Sequence, residues 1–102
     1  MNGTHSVVVT PALARVVNVM VTEDTVSVDL EDGRTLGVPI GWYPRLAYGT
    51  AVERANFQIS GGGYGIHWPD LDEDISVEGL VLGKKSTESL ASFEKWLQRR
   101  RK

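Results

Sequence analysis

VVNVMVTEDTVSVDLEDGRTLGVPI, residues 16–40, decides the fold. VVNVMV (16–21) is rich in β-branched side chains, as a buried strand requires. Thr22-Glu23-Asp24 supplies a turn. TVSVDL (25–30) then alternates strictly, with Val26, Val28 and Leu30 on one face and Ser27 and Asp29 on the other. Asp32-Gly33 is a favoured hairpin turn because glycine accepts positive φ, and RTLGVPI (34–40) returns as the partner strand. The reading is a three-strand antiparallel meander with one apolar face.

Downstream the pattern becomes helical and then irregular. Pro44 suits the first turn of a short helix, YPRLAYG, where its missing N–H is not needed. Gly49 can end that helix, and Thr50 can cap a second. FQIS (57–60) reads as a later strand, GGG (61–63) as a tight turn, and YGIHW (64–68) as a paired or edge segment stopped by Pro69. Ser76 can cap a helical turn over VEGLVL, weakened by Gly79. After Gly83, Thr87 is placed to cap a C-terminal helix whose arginines suit its negative end. Leu90, Phe93 and Trp96/Leu97 share one stripe at helical spacing. The fold class expected is α+β, a two-layer sandwich: a small antiparallel sheet (the meander plus a later strand), short helices and an amphipathic C-terminal helix. Its parts are a loose extension over 1–10, the α+β domain over 11–83 and the basic helix over 84–102.

Composition bounds the function classes. The chain has 102 residues, 41% of them hydrophobic, and no cysteine. One domain fits that length, and disulfide and thiolate–zinc chemistry have no ligands. No run approaches the ~18 apolar residues of a membrane helix, and the N-terminus lacks the pattern of a signal peptide. A soluble, cytoplasmic protein is the expectation. The net charge of −2 conceals an asymmetry. Residues 1–83 carry four basic against eleven acidic side chains, a balance of −7. Residues 84–102 carry seven basic against two acidic, a balance of +5. An acidic body repels a duplex, so any nucleic-acid contact falls to the tail and is weak or indirect.

DGRTL (32–36), PIGWYPRLAYGT (39–50) and ERANFQISGGGYGIHWPDLDEDISVEGL (53–80) resemble the bacterial family catalogued as domain of unknown function 2442. The resemblance spans residues 15–83, about two-thirds of the chain. It implies a two-layer α+β fold. It also implies a small stand-alone protein or a module fused to a helix-turn-helix, some relatives lying beside a second small family in an arrangement resembling a toxin–antitoxin pair. It implies no active site. The N-terminal extension and the basic C-terminal helix depart from the pattern and inherit no role.

Sharper chemistry fails on the residues themselves. GGGYG lacks the Gly-Lys-Ser/Thr of a phosphate loop, and Ile66 stands where a dinucleotide fingerprint needs glycine or alanine. Asp70, Asp72 and Asp74 occupy positions one, three and five of a would-be calcium loop. Ile75 and Val81 then replace its glycine and glutamate. Those carboxylates read instead as a solvated loop, with Asp74 or Ser76 capping the next turn. His67 beside Asp70 and Asp72 could be a base or a ligand, but the only other histidine is His5. Nothing pairs a nucleophile with a base, Ser60 included. No cofactor or metal is expected.

The residues that suggest a partner are Trp42, Tyr43, Arg45, Tyr64, His67, Trp68, Phe93 and Trp96, since aromatic and arginine side chains dominate interface hot spots. Tyr48 and Arg54 lie within the same cluster, and each aromatic also has a core reading. A small ligand could approach the bare amides of Gly61–Gly63. The tail helix can pack on the acidic body, remain a solvated extension, or dock into a partner or a second copy. The leading expectation is a non-enzymatic interaction module, antitoxin-like or an accessory regulator, binding a small partner protein and open to homodimerisation. A DNA-associated regulator using the basic helix and a small enzyme centred on His67 and Asp70 are the rivals.

Overall fold

The computed structural model describes residues 13–101; the extension over 1–10 and His5 lie outside them. Strands β1 (Val16–Val21), β2 (Thr25–Leu30) and β3 (Thr35–Pro39) form an antiparallel sheet in the order β1-β2-β3. The Val26, Val28 and Leu30 face is buried, as the alternation requires. Thr22 closes the first turn by accepting from the Asp24 and Thr25 amides at 3.2 and 3.0 Å. In the second turn Gly33 takes a φ of +93°, and Asp32 holds Arg34 through its amide and its Nε.

A 3-10 turn, Ile40–Trp42, leads into α1 (Pro44–Ala47) and α2 (Ala51–Ala55). Thr50 and Glu53 form a reciprocal capping box at the start of α2. Beyond it the chain builds a second antiparallel sheet from β4 (Gln58–Ser60), β5 (Gly65–Trp68) and β6 (Glu73–Ser76). So three later strands form a sheet of their own, where the sequence suggested one strand and a paired or edge segment over YGIHW. Glu73 and Asp74 also belong to a strand, not to the solvated loop expected of them. Burial explains it: Ile75 points inward opposite Ile66, and Asp74 lies opposite His67. Between β4 and β5, Gly61, Gly62 and Gly63 all take positive φ, a path closed to most side chains. A Cβ on Gly63 would also stand 2.8 Å from Arg15 Cβ.

Ser76 caps α3 (Val77–Val81) through the Gly79 amide. The final helix, α4, is Leu90–Arg100, and its cap is Ser89 rather than Thr87. Residues 84–88 are tied down before the helix can start: Tyr43 donates to the Lys84 carbonyl at 2.9 Å, and the Ser86 amide donates to that of Trp42 at 3.0 Å. One core joins both sheets, α1, α3 and Trp96 of α4. Trp68 lies at its centre with 0% exposure. Its indole N–H donates to the Arg54 carbonyl at 3.0 Å. The Arg54 guanidinium in turn donates to the carbonyls of Leu46 and Ala47 at 2.8 and 2.7 Å, satisfying the open end of α1.

Candidate functional site

Two features concentrate side-chain chemistry: a polar cleft under the 84–88 segment, and an aromatic face where α1 meets α4.

The cleft has a volume of about 410 Å³ and is lined by Tyr43, Arg45, Glu73, Lys85, Glu88 and Ser92 among others. Arg45, on α1, forks onto Glu88. Its Nε lies 2.8 and 3.1 Å from the two carboxylate oxygens, with its Nη2 closing the second arm. Its Nη1 donates to the carbonyls of Leu71 and Asp72, both at 3.3 Å. Hydrogen bonding to Arg45 holds the Glu88 carboxyl below its usual range, and Ser92 Oγ donates to it as well. Burial does the opposite to Glu73, pushing its carboxyl up. Burial, with Glu73 adding to it, also raises the Tyr43 phenol. The lining carries Arg45 and Lys85 against Asp72, Glu73, Asp74 and Glu88, so the cleft is acidic overall, and Arg45 is a clamp between the body and the segment leading into α4.

On the aromatic face, Phe93 stacks on Trp96 with centroids 5.7 Å apart, and Tyr48 meets Phe93 edge-on at 5.2 Å. Arg45 and Arg100 both lie over the Trp96 ring, at 5.3 and 4.6 Å, favourable cation–π placements. Arg100 also forks onto Glu53 at 2.7 and 2.9 Å. That pairing lowers the Glu53 carboxyl to about 2. The helix is thus pinned to the body at Glu88 and Arg100, one near each end. Tyr48 remains 61% exposed and Leu90, one turn before Phe93 on the same stripe, 72% exposed.

The expected partner residues separate into three groups. Tyr43, Trp68 and Trp96 are core side chains and present almost no surface. Trp42 is half-buried with Lys85 Nζ 5.3 Å from its ring, and Arg45 is engaged as described. Phe93, Tyr64 and His67 keep accessible surface, but they do not form one patch. Phe93 belongs to the α1–α4 face, while His67 lies on β5 of the second sheet and Tyr64 in the turn just before it. His67 Nδ1 sits 2.9 Å from Asp74 Oδ1. Asp70, its supposed partner, instead accepts from Asn56 at 2.9 Å. Ser60 lies opposite Gly65 in the sheet, whereas His67 lies opposite Gln58. Among the described residues, no group of three or more His, Asp and Glu side chains converges as a metal set, and no helix is long and apolar enough to cross a membrane. Leu90 is the surface residue that helical spacing alone could not place. The stripe assigned it to the buried side, but the helix begins just there and its first turn overhangs the core.

A small α+β domain with two three-stranded sheets, an acidic cleft and a clamped terminal helix is the class these features define. The chain belongs to the family described as protein of unknown function (DUF2442), whose model matches residues 16–86. A crystal structure of a protein of unknown function from Rhodospirillum rubrum is 31% identical, with a TM-score of 0.66. That match covers 78% of this chain and 98% of the other. The solution structure of an uncharacterized protein from Chromobacterium violaceum shares the fold, with a TM-score of 0.62 at 22% identity. It covers 84% of this chain and 75% of that one. No curated protein matches the chain. The family match ends at residue 86, so α4 lies beyond it.

Proposed function

We propose that this protein is a non-enzymatic interaction module that binds a small partner protein through the α1–α4 face. The observation that carries this reading is the exposed apolar surface of Tyr48, at the end of α1, and Leu90, on α4, to either side of Phe93, with α4 held to the body by two partly buried ion pairs. Rigid aromatic surface backed by a packed core is the kind of patch that supplies interface hot spots. An antitoxin-like role, with the partner encoded by an adjacent gene, is the form of the reading that the family resemblance supports. The basic helix gives less support to a DNA-binding role, because Arg100 is already engaged by Glu53 and Trp96.

The test is co-expression of the tagged chain with the product of its neighbouring gene. Wild type is expected to retain that product through purification, and a Tyr48→Asp/Leu90→Asp variant with unchanged circular dichroism to lose it. Equal recovery with both proteins would remove the α1–α4 face as the site. Recovery with neither would remove the neighbour as the partner.

A further inference from the structure

Side chains alone hold α4 to the body. Among the described residues, no backbone–backbone hydrogen bond runs from residues 89–101 to the rest of the chain. Within the helix Trp96 is buried, and Phe93 and Leu97 are partly so. The segment before it is fixed by its own backbone: the Lys84 carbonyl accepts from Tyr43, and the Ser86 amide donates to Trp42. The two ion pairs differ in the same sense. The side chains of Arg45 and Glu88 are 11% and 14% exposed, whereas those of Arg100 and Glu53, at the far end of α4, are 27% and 20% exposed. Attachment therefore weakens from residue 88 to residue 100.

We infer that α4 is a hinged strap, which swings off the body as one unit about Glu88 and Ser89 while both sheets stay folded, with Arg100–Glu53 as its clasp. Elements that open locally are those with few buried apolar side chains and solvent-reached bonds, and α4 has both properties. Opening exposes one indole and two half-buried side chains and parts one solvent-screened pair. That is far less apolar surface than unfolding a sheet that buries Val19, Val26, Val28 and Leu30. Once off, a helix of 11 residues is too short to persist in water, so its amides lose protection together. Opening also parts Phe93 from Tyr48 and takes Ser92 out of the cleft wall. The cleft and the α1–α4 face are thus whole only in the closed state. The strap opens with or without a bound partner, so this inference does not rest on the proposed function.

The experiment is native-state amide exchange by NMR on the full chain, at low and high salt and across sub-denaturing urea. Amides of Trp96, Leu97 and Gln98 are expected to exchange at least ~100-fold faster than those of β2, with a weaker urea dependence. High salt should speed α4 about threefold. Glu53→Gln, which keeps an acceptor for the Thr50 amide, should speed it about tenfold. Val28→Ala separates the strap from the sheet, because it destabilises the open and closed states alike. It should speed β2 by at least about tenfold and leave α4 within about twofold. Should Val28→Ala not fold, the wild-type urea dependence and Glu53→Gln still decide. The inference is overturned if α4 and β2 exchange together with one urea dependence, or if Val28→Ala speeds both. Wild-type α4 amides without any protection overturn it equally, since no closed state would then exist. An α4 rate indifferent to Glu53→Gln would overturn the clasp.

Discussion

Strands β1, β2 and β3 run six, six and five residues and are joined by turns whose polar side chains hold them locally. Strands β4, β5 and β6 run only three, four and four, and three glycines at positive φ separate the first two. The first sheet thus contains its own instructions: alternation places the apolar face, and the turns set the register. The second is too short to stabilise itself and depends on contacts from elsewhere. Trp68 fixes it to α2, Leu71 fills the space against Gly49, and the Val77 amide closes on the Tyr64 carbonyl at 2.9 Å. Equal strand number and equal topology conceal two different sources of stability.

Removing the second sheet's anchor tests that difference most severely. Trp68→Ala deletes a fully buried ring and orphans the Arg54 carbonyl, at an expected cost of about 3–5 kcal/mol. Urea unfolding measures the loss. Amide exchange should show β4–β6 opening before β1–β3; simultaneous opening would mean that both sheets depend on Trp68 alike. Gly49→Ala is a milder version. Its Cβ would lie 2.9 Å from Leu71 Cδ1 and 3.1 Å from Cδ2, and Leu71 is fully buried. Overpacking of about 1–3 kcal/mol is expected, again felt first in the second sheet.

The same division separates what the sequence shows from what it conceals. Val26, Val28 and Leu30 announce a strand because the period is local. The α1, α2 and α3 starts are equally plain, with Pro44, Thr50 and Ser76 at their expected positions. Asp72-Glu73-Asp74 hides a strand, because three charges outweigh one inward isoleucine until the His67–Asp74 pairing is known. Arg54 reads as a surface cation, yet it caps α1, a role visible only once its guanidinium meets the Leu46 and Ala47 carbonyls eight and seven positions back. Thr87 and Ser89 carry equivalent hydroxyls, and only the anchoring of 84–88 selects the second. Of the candidate site, Phe93 was readable from its stripe. The exposure of Tyr48 and Leu90 was not, since it depends on where α4 lands.

Two carboxylates, Glu53 on α2 and Glu73 on β6, respond to pH in opposite directions. Glu53, lowered to about 2 by Arg100, adds stability that is complete above the ordinary value of 4.5 and is lost as pH falls toward 2. Arg100→Gln should therefore cost about 1–2 kcal/mol at pH 7 after solvent screening, with the difference vanishing near pH 2. Glu73 is raised by burial, so its contribution is present below the ordinary value and lost as pH rises through the folded one. Glu73→Gln keeps the acceptor for the Asp74 amide and should stabilise the protein at pH 7 by under about 1 kcal/mol. Thermal midpoints at pH 3 and pH 7 check both signs. A Glu73→Gln loss at pH 7 would show that the cleft needs the negative charge.

The smallest effect gives the finest comparison, because each sheet carries one solvent-facing aspartate in a cross-strand contact. Asp29 accepts from Asn18 and Thr35 at 3.3 and 2.8 Å on the first sheet. Asp74 meets His67 on the second. Such exposed pairs contribute about 0.2–1 kcal/mol wherever they occur. Asp29→Ala and Asp74→Ala should therefore cost the same small amount by urea unfolding, although the sheets beneath them differ so much in autonomy. A cost for Asp74→Ala matching that of Gly49→Ala would place the second sheet's support on its surface. Equal small costs leave that support where Trp68 and Leu71 put it, in the core.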